Sequence, residues 1–244
     1  MSTGLLSNRI CLITGSSRGI GLGLARVFAR HKAIVTLHGR DEQALQKAAA
    51  GLPVSSKTDY ISADLGTTAG IENLVVAFLR QYGRLEVLIH CAGILGAKTE
   101  LAEYPPEVWE EVLRINLTAP FLLTQGLLPA LRKGDRPSVI FVSSGVGREG
   151  RAEWGAYSVS KFGIEGLCQV WADELRQEGI RVNAVNPGGT RTQMRAAAYP
   201  NEDPTTLPRP EDIAPVFVWL ARADTQITGK SLEAREWIGR DPTV

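Results

Sequence analysis

Residues that cross-link or bind metals are few in this chain. Its 244 residues include three cysteines and three histidines. Cys11, Cys91 and Cys168 lie far apart in apolar settings, with no CxxC pair. The odd count and the lack of a signal-like start predict free thiols in a reducing, cytoplasmic compartment. His31, His38 and His90 are as scattered, so no metal site is expected. A dominant charge is also missing. The 27 Lys and Arg residues against 26 Asp and Glu leave a net charge of +1, which gives no electrostatic case for nucleic acid or a membrane surface as partner. No run approaches the roughly 18 consecutive apolar residues of a membrane span. The opening MSTGLLSNR is too short and too polar for a signal sequence. The 25 glycines and 13 prolines are spread out rather than gathered into a linker. With 44 % hydrophobic residues, one domain covering residues 1–244 is expected.

What is present is an alternation of short apolar runs and longer amphipathic stretches. Strands are expected at 9–14, 33–38, 57–65, 85–93, 137–144 and 180–189, with a seventh around 230–234. Between them the spacing predicts helices at 19–31, 41–50, 69–83, 105–132, 154–179 and 210–222. Strands joined by helices of this length must pair in parallel, with helices on both faces. The fold class is therefore α/β, a doubly wound parallel sheet in a single domain.

TGSSRGIG (14–21) follows the first strand and opens the first helix. Gly15, Gly19 and Gly21 allow a tight turn and close approach of a pyrophosphate, and the helix N-terminus adds free N–H groups and the positive end of its dipole. Ser17, Arg18 and Ile20 fall in the same loop. The lysine and Ser/Thr of a P-loop are missing. At the end of the second strand, where an acidic side chain would bind the ribose of NAD, the chain has Gly39 and Arg40. Arginine can pair bidentately with a 2′-phosphate, so NADP(H) is preferred over NAD(H), with Arg18 a second cation facing that phosphate. Alternatively Arg40 is a solvent-facing arginine. Asp64 and Leu65 end the third strand at the edge where ligands bind, and Asp64 is also a possible helix cap. In HCAG (90–93), Ala92 and Gly93 let the backbone pass close to a cofactor ribose, while His90 reads as structural.

YSVSK places Tyr157 and Lys161 four residues apart on one helix face. A nearby ammonium lowers the pKa of a phenol, which can then exchange a proton with a carbonyl or alcohol oxygen. Ser144, closing a buried strand, would hold that oxygen, and Asn116, in a long helix, would anchor a water feeding Lys161.

Together TGSSRGIG, Asp64, HCAG, Asn116, Ser144, YSVSK and PGGTRT (187–192) resemble the short-chain dehydrogenase/reductase family in order and approximate spacing. The stretches SSGVGREGRAEWGAYSVSKFG and PGGTRTQMRAAAYPNEDP are similar to those of a bacterial subgroup of largely unassigned substrate. The resemblance implies a seven-stranded Rossmann-type sheet and a catalytic tetrad of Asn116, Ser144, Tyr157 and Lys161. It implies that Tyr157 and Lys161 also meet the cofactor, Lys161 at the nicotinamide ribose. Pro187 and Gly188 would border the nicotinamide, and Thr192 its carboxamide or the pyrophosphate. It further implies a homodimer or homotetramer built through the long helices, and a small-molecule carbonyl or alcohol as substrate. The chain departs from the family in having HCAG for NNAG, and in ending ITGKSLEAREWIGRDPTV (227–244) with Trp237 where a glycine pair is usual. A non-catalytic nucleotide-binding regulator on the same fold is the alternative; the complete tetrad argues against it.

For the substrate, Leu95, Trp154 and Met194 are the expected wall, and 189–208 is expected to form a lid. Arg148, Arg151 and Arg195 hint at an anionic group on the substrate, or are solvated surface residues.

Overall fold

The computed structural model describes residues 4–53 and 57–243. Residues 1–3 of the opening segment and Val244 at the other end lie outside them. Seven strands form one parallel sheet in the order β3-β2-β1-β4-β5-β6-β7. They are β1 (Ile10–Ile13), β2 (Ile34–Gly39), β3 (Thr58–Ser62), β4 (Val87–His90), β5 (Ser138–Val142), β6 (Arg181–Asn186) and β7 (Ser231–Glu233). The seventh strand is present and pairs Ala184 with Ser231. Six of the strands are shorter than the runs expected for them, and β2 keeps its six residues, shifted by one.

Period-two alternation divides the core. Cys11, Ile13, Val87, Ile89, Ile140 and Val142 face one side. There they meet Leu24 and Phe28 of α1 (Gly19–Arg30), Leu45 of α2 (Glu42–Ala50) and Phe217 of α8 (Pro215–Ala221). Leu12, Leu88, Val139 and Phe141 face the other side. Their partners are Phe78 of α3 (Thr68–Gln81), Leu123 of α5 (Ala119–Leu131) and Trp171 of α6 (Gly155–Glu174). Each fully buried large side chain of this kind contributes about 1.5–3 kcal/mol.

Local chemistry sets the helix ends. The Asp41 carboxylate caps α2 by accepting Ala44 N–H at 3.0 Å, and Thr67 caps α3 through Gly70 N–H at 3.0 Å. The helix expected at 210–222 begins only at Pro215, whose missing N–H costs nothing at the first helical position. The helix expected at 154–179 ends at Glu174. A 3₁₀ turn, Arg176–Glu178, follows and Gly179 stops it at φ +72°. The helix expected at 105–132 is instead α4 (Pro106–Leu113), a widened π turn (Arg114–Thr118) and α5. Pro120 supplies no N–H to the carbonyl of Asn116 four residues back, so the ordinary ladder cannot run through this point.

The amino edge of the sheet is closed by buried charge. Arg9 donates to the carbonyls of Asp135 and Arg136, and Arg181 to those of Leu220, Arg136 and Arg222. The Glu86 carboxylate accepts Ile10 N–H at 2.8 Å and the Arg84 guanidinium at 2.7 Å. The divergent C-terminal segment is also built in. Ala234 is fully buried and the Trp237 ring sits 4.8 Å from that of Trp219.

Phe28 is fully buried whereas Leu101 is 65 % exposed. Phe28→Ala is expected to cost about 3–5 kcal/mol in urea unfolding, and Leu101→Ala to stay within about 0.5 kcal/mol. Equal losses would contradict this partition of the core.

Candidate functional site

The parallel strands point their carboxyl ends to one edge, and the residues singled out above gather there. After β1, Thr14 Oγ1 accepts the N–H groups of Cys91 and Ala92 at 3.0 and 3.1 Å. This draws the segment after β4 against the glycine loop. A Cβ on Gly15 (φ +64°) would lie 2.7 Å from Cα of Ala92, so only glycine fits. Ser16 Oγ donates to Ile13 O at 2.7 Å and accepts His38 N–H at 2.9 Å, fixing the loop to β2. Thr14, Ser16 and His38 escape sequence reasoning as site builders. Thr14 and Ser16 stand inside the glycine motif, which was the available signal.

Gly19 (φ +57°) faces Thr192, whose methyl would lie 3.6 Å from a Cβ added there. Thr192 caps α7 (Gln193–Ala198) by accepting Arg195 N–H at 3.1 Å. Ser17 lies beside Gly39, with Oγ 3.4 Å from the position of its missing Cβ. Arg40 is exposed, and Ile20 is half-buried in the first turn of α1. Arg18, expected to share a phosphate with Arg40, is exposed and donates through Nη1 to Gln193 Oε1 at 3.2 Å. Asp64 is exposed and accepts Gly66 N–H at 3.0 Å; Thr67, not Asp64, caps the following helix. The Leu65 side chain is in the core, which leaves only its backbone at the edge.

The proton-handling groups lie after β4 and β5 and on α6. Ser144, two residues beyond β5, hydrogen-bonds the half-buried Tyr157. Lys161 is buried; its Nζ donates to Val142 O at 2.8 Å and lies 5.5 Å from the centre of the Tyr157 ring. The same Nζ is 3.9 Å from where a Cβ on Gly93 would be. Burial raises the Tyr157 phenol to about 12, the bond from Ser144 only partly opposing it, and burial lowers Lys161 to about 8. The phenol is therefore raised where its spacing to Lys161 predicts a lowering, because desolvation of the phenolate is the largest effect on it.

The Asn116 side chain is buried and bonded within the fold. Its Oδ1 accepts Ile94 N–H at 2.8 Å, and its Nδ2 donates to Ile94 O at 2.9 Å and Ser160 Oγ at 3.2 Å. The side chain holds the segment after β4 to α6. His90 is structural: it is buried, bonded to Thr124 Oγ1 at 2.8 Å and stacked on Phe141.

Trp154 is buried, with its ring centre 5.6 Å from that of Tyr157 and 5.9 Å from that of Tyr199, and Lys98 Nζ 4.5 Å above it. Leu95 and Met194 are half-buried, on the segment after β4 and on α7. Two arginines considered for a substrate anion are already paired. Arg148 bonds Glu165 and Glu233, and Arg195 grips Glu202 at 2.6 and 2.7 Å while stacking 3.7 Å over Tyr199. Tyr104 is a positioning group that sequence reasoning missed. Its hydroxyl accepts Ala97 N–H at 3.1 Å, and its ring fills the space beside Gly155 at the start of α6. Pro187 is buried, and Gly188 (φ +65°) lies under the Arg235 side chain, whose Cδ is 2.6 Å from the position of a Cβ there.

The sequence profile of the short-chain dehydrogenase family matches residues 9–203. The chain belongs to that family and is an oxidoreductase of the NAD(P)H-dependent kind. It is 44 % identical to the uncharacterized oxidoreductase YciK of Escherichia coli K12, over 98 % of this chain and 96 % of that one. It is 33 % identical to the 3-oxoacyl-[acyl-carrier-protein] reductase FabG of Thermotoga maritima, over 92 % of this chain and 95 % of that one. A short-chain dehydrogenase structure from Shigella flexneri 2a, complexed with NADP, superposes with a TM-score of 0.92 at 44 % identity, covering 96 % of this chain and all (100 %) of that one. Another from Escherichia coli CFT073, complexed with NADPH, gives 0.91 at 44 % identity, covering 96 % and 99 %.

Burial lowers His38 to about 4 and His90 to about 3, from the ordinary 6.5. The unfolded chain then binds more protons below pH 6.5, so both groups contribute stability above that pH that is lost as pH falls towards their folded values. Urea unfolding is expected to show stability declining from about pH 6.5 to 4.5, by up to about 1.4 kcal/mol per pH unit for each histidine. An imidazole NMR midpoint near 6.5 for either residue would contradict their burial as neutral rings.

Proposed function

We propose that residues 1–244 act as one NADP(H)-dependent oxidoreductase domain, interconverting a small-molecule carbonyl and its secondary alcohol. The observation that carries this reading is the Tyr157 phenol, bonded to Ser144 and next to buried Lys161, set beside a glycine cradle at the carboxyl edge of the sheet. The cradle fits a dinucleotide: a Cβ on Gly19 would enter the gap towards Thr192, and the N–H groups opening α1 have no acidic neighbour in the first turn. The NADP- and NADPH-bound relatives support the choice of cofactor.

Gly15, Ser17, Arg18, Gly19, Ile20 and Gly21 would hold the pyrophosphate, with Arg40 at the 2′-phosphate and Asp64 and Leu65 at the adenine. Ala92 and Gly93 would pass along a ribose, Tyr157 and Lys161 would hold the nicotinamide ribose, and Pro187, Gly188 and Thr192 would flank the ring. NADP(H), when bound, supplies or accepts the hydride. Ser144 orients the substrate oxygen. Tyr157, kept protonated at neutral pH by its burial, gives that oxygen a proton, and Lys161 steadies the phenolate left behind. Asn116 contributes through its carbonyl, which Pro120 leaves without its usual donor and free to accept from a relay water. Leu95, Trp154 and Met194 form the substrate wall. Exposed Phe121, Val159, Phe162 and Val170 on α5 and α6 support a homodimer or homotetramer through these helices. The free cysteines support a reducing, cytoplasmic location.

Tyr157→Phe is expected to lower turnover of a reactive carbonyl by about 10²–10⁴-fold, with NADPH affinity held within about threefold. Unchanged turnover would overturn the assignment. Arg40→Ala is expected to weaken NADPH by about 10–100-fold, the worth of hydrogen bonds to a charged group, while NADH changes little. Equal effects on both nucleotides would remove Arg40 from the 2′-phosphate.

A further inference from the structure

A chain of polar contacts from residues far apart in sequence holds the carboxyl end of β6. Arg148, four residues past Ser144, donates through Nη1 to Glu233 Oε1 on β7 and through Nη2 to Ser231 Oγ at 2.5 Å. Its Nε reaches Glu165 Oε1 of α6 at 3.2 Å. That oxygen also accepts Ser143 Oγ at 2.5 Å and Ser231 Oγ at 2.9 Å. The other Glu233 oxygen accepts Asn186 Nδ2 at 2.8 Å. Asn186 Oδ1 in turn accepts the backbone N–H of Gly188 at 3.0 Å.

The chemistry of these groups gives the chain a direction. A carboxylate only accepts, whereas an amide donates from one end and accepts at the other. Glu233 therefore captures the NH₂ of Asn186 and turns its oxygen onto Gly188 N–H. Arg148 occupies the remaining Glu233 oxygen, so the half-buried carboxylate is compensated by charge-assisted bonds. Gly188, held this way, keeps its left-handed φ of +65°.

We propose that Glu233, anchored by Arg148 and acting through Asn186, is a positioning residue that sets the Gly188 turn for the nicotinamide end of the cofactor. This rests on the NADP(H) reading above. It gives the C-terminal strand a part in the site, and gives Arg148 a role in the frame of the site in place of a substrate anion.

The test uses Glu233→Gln, Asn186→Asp and the double variant in the full chain. Binding of NADPH and of adenosine 2′,5′-bisphosphate, which lacks the nicotinamide half, is measured by calorimetry. With Glu233→Gln, one oxygen must serve two donors; with Asn186→Asp, two carboxylates face each other. In the double variant donor and acceptor exchange sides, and Arg148 and Gly188 N–H both keep an oxygen to bond. Each single variant is expected to weaken NADPH about tenfold, the scale of one hydrogen bond to a charged group, and to leave the bisphosphate within about twofold. The double variant is expected to recover NADPH binding to within about threefold of the wild type. Asn186→Ala, which removes the amide without adding charge, replaces Asn186→Asp if that variant does not fold, with the same NADPH-selective loss expected. The proposal is overturned if the single variants bind NADPH normally, if both ligands weaken equally, or if the double variant is no better than the singles. Wild-type chain that binds neither ligand would overturn the NADP(H) reading itself, a result distinct from these.

Discussion

Parallel pairing is the constraint from which the site follows. A parallel ladder cannot be closed by a tight turn, so each strand must return through a crossover, and all seven carboxyl ends finish on one edge. Gly15 lies just past β1, Arg40 past β2, Ala92 past β4, Ser144 past β5 and Gly188 past β6. Distances between these groups are then set by strand spacing and by how closely neighbouring ends approach. Where two ends approach closely, as at Gly15 against Ala92, no side chain fits. Asn116 ties this edge to the helices. One amide bonds both backbone groups of Ile94 and the Ser160 hydroxyl, so the segment after β4 is tied to α6.

Burial, more than pairwise charge, governs the electrostatics of the edge. It keeps Tyr157 protonated, keeps His38 and His90 neutral, and pushes the Cys91 thiol up to about 12. Lys161 has its own carbonyl acceptor at Val142 and remains mostly cationic at neutral pH with a value near 8. A protonated phenol with an ammonium nearby is an arrangement prepared to give a proton to a carbonyl oxygen. The arginines around it are largely bound to carboxylates or carbonyls and serve to hold loops.

What was legible in the sequence follows from range. The strand–helix alternation and the glycine loop are local patterns, and the sheet and the edge positions of Gly15, Ala92 and Ser144 followed from them. The Tyr157–Lys161 pair was legible because helical spacing brings the two residues onto one face. Contacts across long separations were not. Arg148 meets Glu233 from 85 residues away, and Arg18 meets Gln193 from 175. An arginine read alone looks like an anion site. The role of the Asn116 side chain was hidden because Ile94 presents backbone, which carries no sequence signal. The break in the long helix was visible in principle at Pro120, which leaves the Asn116 carbonyl without its donor. The C-terminal segment departs from the family ending, yet Ala234 and Trp237 pack into the core and Glu233 pairs with β6.

A crystal structure of the chain with NADPH bound would show directly whether the carboxyl edge holds the cofactor. The nucleotide is expected along the carboxyl edge, its 2′-phosphate at Arg40 and its nicotinamide between Tyr157 and Gly188. A nucleotide bound away from that edge, or a nicotinamide turned away from Tyr157, would contradict it.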